Sequence, residues 1–284
     1  MKTIYHFSGA GNDFVVIDGR EGDVSAFREV PRIEALCQEY KTDGLMILGQ
    51  EMPGQAGHDV MADPDRPSVD FTMEFYNPDG SGGMMCGNGG RCIVAFADYL
   101  GIKPASGGVF LFMAPDGLHT GEILERPEDG LWTVRIKMID VQGITPMLGG
   151  YFLNTGTRHF VKFVDDVEQV DVDAEGKALR WDPAFVPIGT NVNFVHVAPD
   201  GLHVRTFEKG VEGETLACGT GLTACALVAH HVGVPTATPG AYRLRARQDW
   251  LSVNFTPGPD DTFNDVYLMC PARLVGIKEE SARG

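Results

Sequence analysis

The phrase "MCGNGGRC" at residues 85–92 returns as "ACGTGLTAC" at residues 217–225. Laying Cys86 on Cys218, an offset of 132, also matches Gly87 with Gly219, Gly89 with Gly221, Ala97 with Ala229 and Gly101 with Gly233. The segments that follow, "CIVAFADYLGI" (92–102) and "CALVAHHVGV" (225–234), read as mostly apolar helices stopping at a glycine, the residue favoured just past a helix C-terminus. A helix that is apolar nearly all round has to be buried on every side. Two such helices require two cores, so the chain is expected to fold as two halves of like design. Its 284 residues suit that, at roughly 150 residues per domain.

A second, weaker pair supports the duplication. "GAGNDFVVID" (9–18) and "GTRHFVKFVDD" (156–166) each lead from a Gly-rich turn into a β-branched strand. Segments 68–77, 131–140, 191–197 and 250–255 alternate or cluster Val, Ile, Phe and Trp between turn residues, as strands do. Helices are expected only around 32–40 and after each Cys-Gly phrase. The predicted class is α+β, with two pseudo-symmetric halves, each a curved, mostly antiparallel sheet or barrel around one central apolar helix. The break is expected within "APDGLHTGE" (114–122), giving halves 1–117 and 118–267. The last strand fits either half by sequence, and 268–284 is assigned to the first. Residues 49–68, rich in Gly, Pro and Asp, are expected to form an exposed loop.

Composition narrows the function. With 43% apolar and 22% charged residues the chain is of ordinary globular type, and a formal charge of −16 argues against nucleic acid or an anionic membrane as the main partner. The opening "MKTIYHFSGAGNDF" lacks the continuous apolar stretch of a secretory signal, so the cytoplasm is the expected compartment. There the six cysteines, Cys37, Cys86, Cys92, Cys218, Cys225 and Cys270, are expected as thiols. Cys37, Cys92, Cys225 and Cys270 read as small buried residues.

A cysteine at the first turn of a helix faces N–H groups without intrahelical partners and the positive end of the helix dipole, which favours thiolate over thiol. The same N–H groups cradle a carboxylate. Two such sites, one from each half, would put a sulfur on either side of one carbon: one thiolate removes a proton next to a carboxylate, and the other thiol returns one to the opposite face. That inverts configuration without a cofactor. A zinc site is a poorer reading, because the spacings are Cys-x5-Cys and Cys-x6-Cys rather than tight Cys-x2-Cys loops. "GAGNDF" alone matches no nucleotide-binding pattern.

In this order, "GAGNDFVVID", "YNPDGSGGMMCGNGGRC" (76–92), "GTRHFVKFVDD", "PIGTNVNFV" (187–195) and "FEKGVEGETLACGTG" (207–221) resemble the motifs of the diaminopimelate epimerase family over nearly the whole chain. The resemblance implies pyridoxal-independent interconversion of LL- and meso-2,6-diaminopimelate, a small amino-acid substrate, with no cofactor or metal. It implies that Cys86 and Cys218 are the acid/base pair, with Gly87, Asn88, Gly219 and Thr220 offering helix-start N–H groups to the reacting carboxylate. His159 and Glu208 resemble the polar pair that supports proton transfer. Asn12, Asn77, Asn191 and Glu208 resemble ligands of the substrate's ammonium and distal groups.

Three positions depart from the family's pattern. Thr157 and Arg158 replace Asn-Pro before the histidine, and Arg158 is expected to face solvent. Lys209 stands where arginine is usual, losing a bidentate grip on a carboxylate. The "EKGVEGET" turn is one residue longer. Thr157 and Lys209 remain candidate substrate contacts. The competing readings are a proline or hydroxyproline epimerase of the same fold, against which Asn88 speaks, and a thiol redox or metal-binding protein. A homodimer is the default expectation.

Overall fold

The computed structural model describes residues 2–50, 68–82, 87–105, 107–247 and 249–280. The loop expected at 49–68 lies almost wholly outside them, as does Cys86. The chain divides into two compact units, Met1–Ile136 with Pro271–Gly284, and Lys137–Cys270.

The first unit runs β1 (Lys2–Gly9), β2 (Asn12–Asp18), α1 (Val30–Tyr40), β3 (Gly44–Gly49), β4 (Phe71–Tyr76), α2 (Gly87–Tyr99), β5 (Val109–Ala114), β6 (Gly117–Glu128) and β7 (Leu131–Lys137). The second runs β8 (Val141–Gln142), β9 (Thr145–Met147), β10 (Gly150–Asn154), β11 (Arg158–Phe163), α3 (Val172–Arg180), β12 (Asn191–Ala198), β13 (Gly201–Glu208), β14 (Gly213–Thr215), α4 (Gly219–His231), β15 (Ala241–Arg245), β16 (Trp250–Pro257) and β17 (Thr262–Glu280). β17 is long enough to serve both units. Its residues 263–269 pair with β16, and 273–280 pair with β1.

Pairing reveals the duplication. β1–β2 is antiparallel, β2–β3 parallel, β3–β4 antiparallel, β4–β5 parallel and β5–β6 antiparallel. β10–β11, β11–β12, β12–β13, β13–β15 and β15–β16 repeat that sequence of senses. A parallel neighbour needs a crossover, and a helix supplies it each time: α1 and α2 in one unit, α3 and α4 in the other. α2 and α4 are both 13 residues long and start at the same offset as the two Cys-Gly phrases. Ten consecutive residues of α2 (88–97) and nine of α4 (221–229) are buried, as their all-round apolar character requires. Gly101 and Gly233, with φ of 76° and 77°, follow them in the left-handed conformation that ends a helix.

α1 and α3 cover the other face of each sheet, so the strands between are buried on both sides and read as unbroken apolar runs. In the first unit Val15, Ile17, Leu45 and Ile47 pack with Ile33, Leu36 and Cys37 of α1. Their alternates Phe14, Val16, Met46 and Leu48 point the opposite way, toward α2. In the second unit Phe160, Val192, Phe194 and Phe207 pack with Val172 of α3. Their alternates His159, Asn191, Asn193, Thr206 and Glu208 therefore share the face toward α4. This alternation assembles the polar site described below.

Two expectations need correction. The break at 117/118 is the tip of a hairpin, β5–β6, whose ladder closes at Ala114↔Gly117, and the units divide at 136/137 instead. The hexapeptide "APDGLH" of that tip recurs at 198–203, where it closes β12–β13 in the same register, Ala198↔Gly201. Gly117 and Gly201, at φ 131° and 143°, show why glycine is used there. The motif is a local turn device, and turn chemistry alone does not distinguish a hairpin from a break between units. Second, α3 was not anticipated. Asp171 caps it by accepting from the Ala174 N–H at 3.0 Å. Gly176 lets it approach so closely that a Cβ would sit 2.4 Å from that of Phe207.

Candidate active site

Cys218 is the N-cap of α4. Its extended backbone (φ −120°, ψ 108°) turns the chain into the helix, and its carbonyl accepts the first helical hydrogen bond from Leu222 N–H at 2.9 Å. The sulfur thus sits at the positive end of the helix, on a residue only 8% exposed. Seven residues on, Cys225 is fully buried, and burial, with Cys218 beside it, pushes its thiol well above the ordinary range. The helix therefore carries one thiol locked in the core and another at its start.

A buried polar chain backs Cys218. Its Sγ lies 3.5 Å from Thr220 Oγ1, which lies 2.9 Å from His159 Nε2. His159 Nδ1 lies 3.1 Å from Asn193 Nδ2, and that amide nitrogen also donates to the Phe160 carbonyl at 3.1 Å. Thr206 Oγ1 donates to Asn193 Oδ1 at 3.0 Å, and Thr155 Oγ1 donates to the Thr220 carbonyl at 2.9 Å. His159 and Asn193 are fully buried. Burial drives the His159 imidazole from 6.5 down to about 3, with Lys209 adding a repulsive charge, so the ring is neutral. Gly221 leaves the network its room, because a Cβ there would fall 2.4 Å from Asn193 Oδ1 and 3.3 Å from both Cys218 Cβ and His159 Cε1.

The first unit repeats the placement with different chemistry. Asn12, three residues after Gly9 as His159 is three after Gly156, accepts at Oδ1 from Asn88 Nδ2 at 2.5 Å. Asn88 is the second residue of α2, as Thr220 is of α4. Behind Asn88, Arg91 donates to its Oδ1 while fully buried, and the remaining Nε and Nη1 of this guanidinium have no hydrogen-bond partner among the described residues. The "GAGN" turn sets Asn12 in place. Ala10 and Gly11 form a two-residue turn with φ of 53° and 82°, and a Cβ on Gly9 would lie 2.8 Å from Cys92 Sγ of α2.

Glu208 ends β13 half-buried on the face toward α4. Burial pushes its carboxyl upward, against the pull of the Thr215 hydroxyl that donates to it at 3.0 Å. Asn191 is buried and gives its amide to the backbone, accepting from the Lys209 N–H at 2.8 Å and donating to the Arg158 carbonyl at 3.0 Å. It pins the end of β13 to β11 and fixes where Glu208 and Lys209 emerge. Arg158 does not face solvent as expected: it packs 5.1 Å over the Phe152 ring and donates to the Phe185 carbonyl at 3.1 Å. Thr157 is half-buried in the turn before β11. Asn77 sits in the turn after β4, donating to Ser81 Oγ at 2.9 Å. The longer turn after Glu208 is closed by Glu212 N–H to the Glu208 carbonyl at 2.8 Å, with Gly210 at φ 98°. Gly87 and Gly219 are the first residues of α2 and α4.

Asn193, Thr206 and Arg91 were missed as site residues. Their signal was present: each is a polar residue at an apolar phase of its element, Asn193 two residues after Asn191 and Arg91 at the head of "CIVAF". Cys37, Cys92, Cys218, Cys225 and Cys270 are buried and form no disulfide with one another. Among the described residues no group of three or more His, Cys, Asp or Glu is placed to hold a metal ion. Nor is any described helix long and apolar enough to cross a membrane.

Comparison with known proteins adds the family. The family model described as "Diaminopimelate epimerase" matches residues 4–106 and 151–243. A diaminopimelate epimerase of Chlorobaculum tepidum is 36% identical over 94% of this chain and 97% of its own length. One from Aquifex aeolicus is 36% identical over 95% and 96%. Among solved structures, a phenazine biosynthesis protein of the PhzF family from Bacillus anthracis superposes with a TM-score of 0.69 at 11% identity, over 99% of each chain. That likeness speaks for the fold alone, which hosts more than one activity.

Proposed function

This chain belongs to the diaminopimelate epimerase family, and we propose that it interconverts LL- and meso-2,6-diaminopimelate without a cofactor, in the supply of lysine and peptidoglycan precursors in the cytoplasm. The observation that carries this reading is Cys218 at the start of α4, backed by a neutral, fully buried histidine, in a chain matched along nearly its whole length by diaminopimelate epimerases. In this reading Cys218 is one proton carrier and Cys86 the other. The thiolate takes the α-proton, and electrons from the C–H bond move into the adjacent carboxylate as an enediolate. Helix-start N–H groups at Gly87, Asn88, Gly219 and Thr220 hold that charge. The second thiol then protonates the carbon from the opposite face. Asn12, Asn77, Thr157, Asn191 and Lys209 belong to the substrate-binding set, and a homodimer is the expected assembly.

The test is to incubate reduced protein, free of metal and pyridoxal, with LL-diaminopimelate in D2O and follow the α-proton by NMR. Loss of that signal together with appearance of the meso isomer is the expected result. Turnover of proline or hydroxyproline in place of diaminopimelate would transfer the chain to the other epimerase reading.

Glu208 gives a prediction with two opposite signs. Its carboxyl is raised by burial, so the folded state binds its proton more tightly than the unfolded one does. Stability is then fully present below the ordinary value of 4.5 and is lost as pH rises through the folded value. At neutral pH the unliganded protein carries that cost, which a substrate ammonium would offset. Glu208→Gln is therefore expected to raise the melting temperature of unliganded protein at pH 8. It should also weaken diaminopimelate binding by about 10- to 100-fold, the worth of one charge-assisted hydrogen bond. Calorimetry and titration of the same two samples read both, and a variant that melts lower and binds normally contradicts the assignment.

A further inference from the structure

We propose that Asn193 is a positioning residue that dictates which ring nitrogen of His159 carries the proton, and that it thereby makes the Thr220 hydroxyl a hydrogen-bond donor to the Cys218 sulfur. The order follows from one group that has no choice. The Phe160 carbonyl can only accept, so the atom of Asn193 that lies 3.1 Å from it is the amide nitrogen. The same nitrogen lies 3.1 Å from His159 Nδ1, and that ring atom must accept. A neutral imidazole that accepts at Nδ1 carries its hydrogen on Nε2, 2.9 Å from Thr220 Oγ1. Thr220 is then the acceptor of that bond and has its own hydrogen left to give. Cys218 Sγ, 3.5 Å away, is where it points.

Running the chain backwards fails at a nameable contact. It would put Nδ1–H against the Asn193 N–H, or, with the amide turned over, Asn193 Oδ1 against the Phe160 carbonyl. Either leaves a repulsive pair in a site where His159 and Asn193 are fully buried. Thr206 fastens the favoured orientation by donating to Asn193 Oδ1 at 3.0 Å. The depressed pKa of His159, about 3, keeps the ring neutral throughout the working range. The titratable neighbours are Lys209, whose charge acts on His159, Cys225, held as a thiol by burial, and Glu208 on the same sheet face.

A hydrogen bond donated to sulfur favours thiolate over thiol. His159 thus acts on Cys218 without exchanging a proton with it, and Asn193 acts through His159. The benefit to proton abstraction rests on the epimerase reading. The donor order itself does not, and its test needs no turnover. In nitrogen-15 spectra of the reduced full-length protein without substrate, His159 is expected to show a protonated Nε2 and a bare Nδ1. In the same protein, pH-dependent alkylation of Cys218, read by mass spectrometry on its peptide, gives the thiol titration. Thr220→Val should move it up by about one unit, tenfold less thiolate below the midpoint, and Thr220→Ser should restore it. Asn193→Asp keeps the shape but accepts where asparagine donates, so it should transfer the proton to Nδ1 and raise the Cys218 titration as well. If that variant does not fold, the wild-type tautomer and the Thr220 pair decide. A protonated Nδ1 in the wild type, or a Cys218 titration unmoved by Thr220→Val, overturns the proposal.

Discussion

Replacing Cys218 by alanine is expected to abolish epimerisation, with a loss of at least about 10³-fold, while the fold survives. The magnitude follows from the role: a positioned acid or base contributes about 10²- to 10⁴-fold, and inversion requires both carriers in every turnover. Survival follows from the local structure. The Cys218 side chain does not cap α4, its carbonyl makes the first helical bond, and that bond is indifferent to the side chain. A further signature separates this outcome from general damage. With one thiol left, a single stereoisomer of the substrate retains access to a base, so its α-proton should exchange for deuterium without inversion. Substantial racemisation by the variant would remove Cys218 from the mechanism. Cys218→Ser should recover little, because an alcohol at this helix start remains far from ionisation where a thiol does not.

How much of this was legible in the sequence depends on whether local pattern or tertiary packing decided the outcome. α2 and α4 were legible because an apolar run with a glycine stop has one good solution. The strands around them were legible because both faces are covered, which leaves unbroken Val, Ile and Phe runs such as "FVVI" and "LMIL". α3 was hidden by its composition. Its buried face is Val172, Gly176 and Arg180, spaced by four but with one apolar side chain among the three. The glycine that argues against a helix by propensity is there because Phe207 occupies the space a Cβ would need. The join between units was hidden because "APDG" and "EDG" are both competent turns, and only the pairing of β6 with β7 shows on which side the chain leaves.

At the site, motif reading named Cys218, Thr220 and His159, which the structure brings into one chain of contacts, and passed over Asn193 and Thr206, which lie behind them. Asn191 and Asn193 lie two apart on one strand and face the same helix, yet only the first was singled out from the motif that holds both. Its amide proves to be committed to backbone groups, while Asn193 contacts His159 itself. The duplication explains why such residues resist motif reading. Both halves keep the contact between the second helical residue and the strand opposite, but one fills it with two amides backed by a buried arginine, the other with a hydroxyl and an imidazole backed by an amide. The backbone was inherited twice, and the polar support was rebuilt in each copy.

That rebuilding makes the second unit sensitive to acid through His159. The ring is driven from 6.5 to about 3, first by burial and then by Lys209, so the unfolded chain binds its proton more tightly than the folded chain does. Stability from this group is fully present above pH 6.5 and is lost as pH falls toward 3. The whole span corresponds to about 5 kcal/mol at ~1.4 kcal/mol per unit, of which roughly 2 to 3 kcal/mol is gone by about pH 4.5. Against a total stability of about 5–15 kcal/mol that is enough to dominate acid unfolding. Many carboxylates titrate in the same range, so the comparison has to isolate the histidine. His159→Asn, which places in β11 the residue type that β2 carries at Asn12, removes the titrating ring. Urea unfolding at steps between pH 7.5 and 4.5 should give a lower starting stability for the variant and a shallower decline. The two curves should converge as the wild type loses what the variant never had. Parallel curves across that window would mean that His159 is protonated without cost in the folded state, and the neutral imidazole on which the Thr220 and Cys218 contacts depend would have to be abandoned.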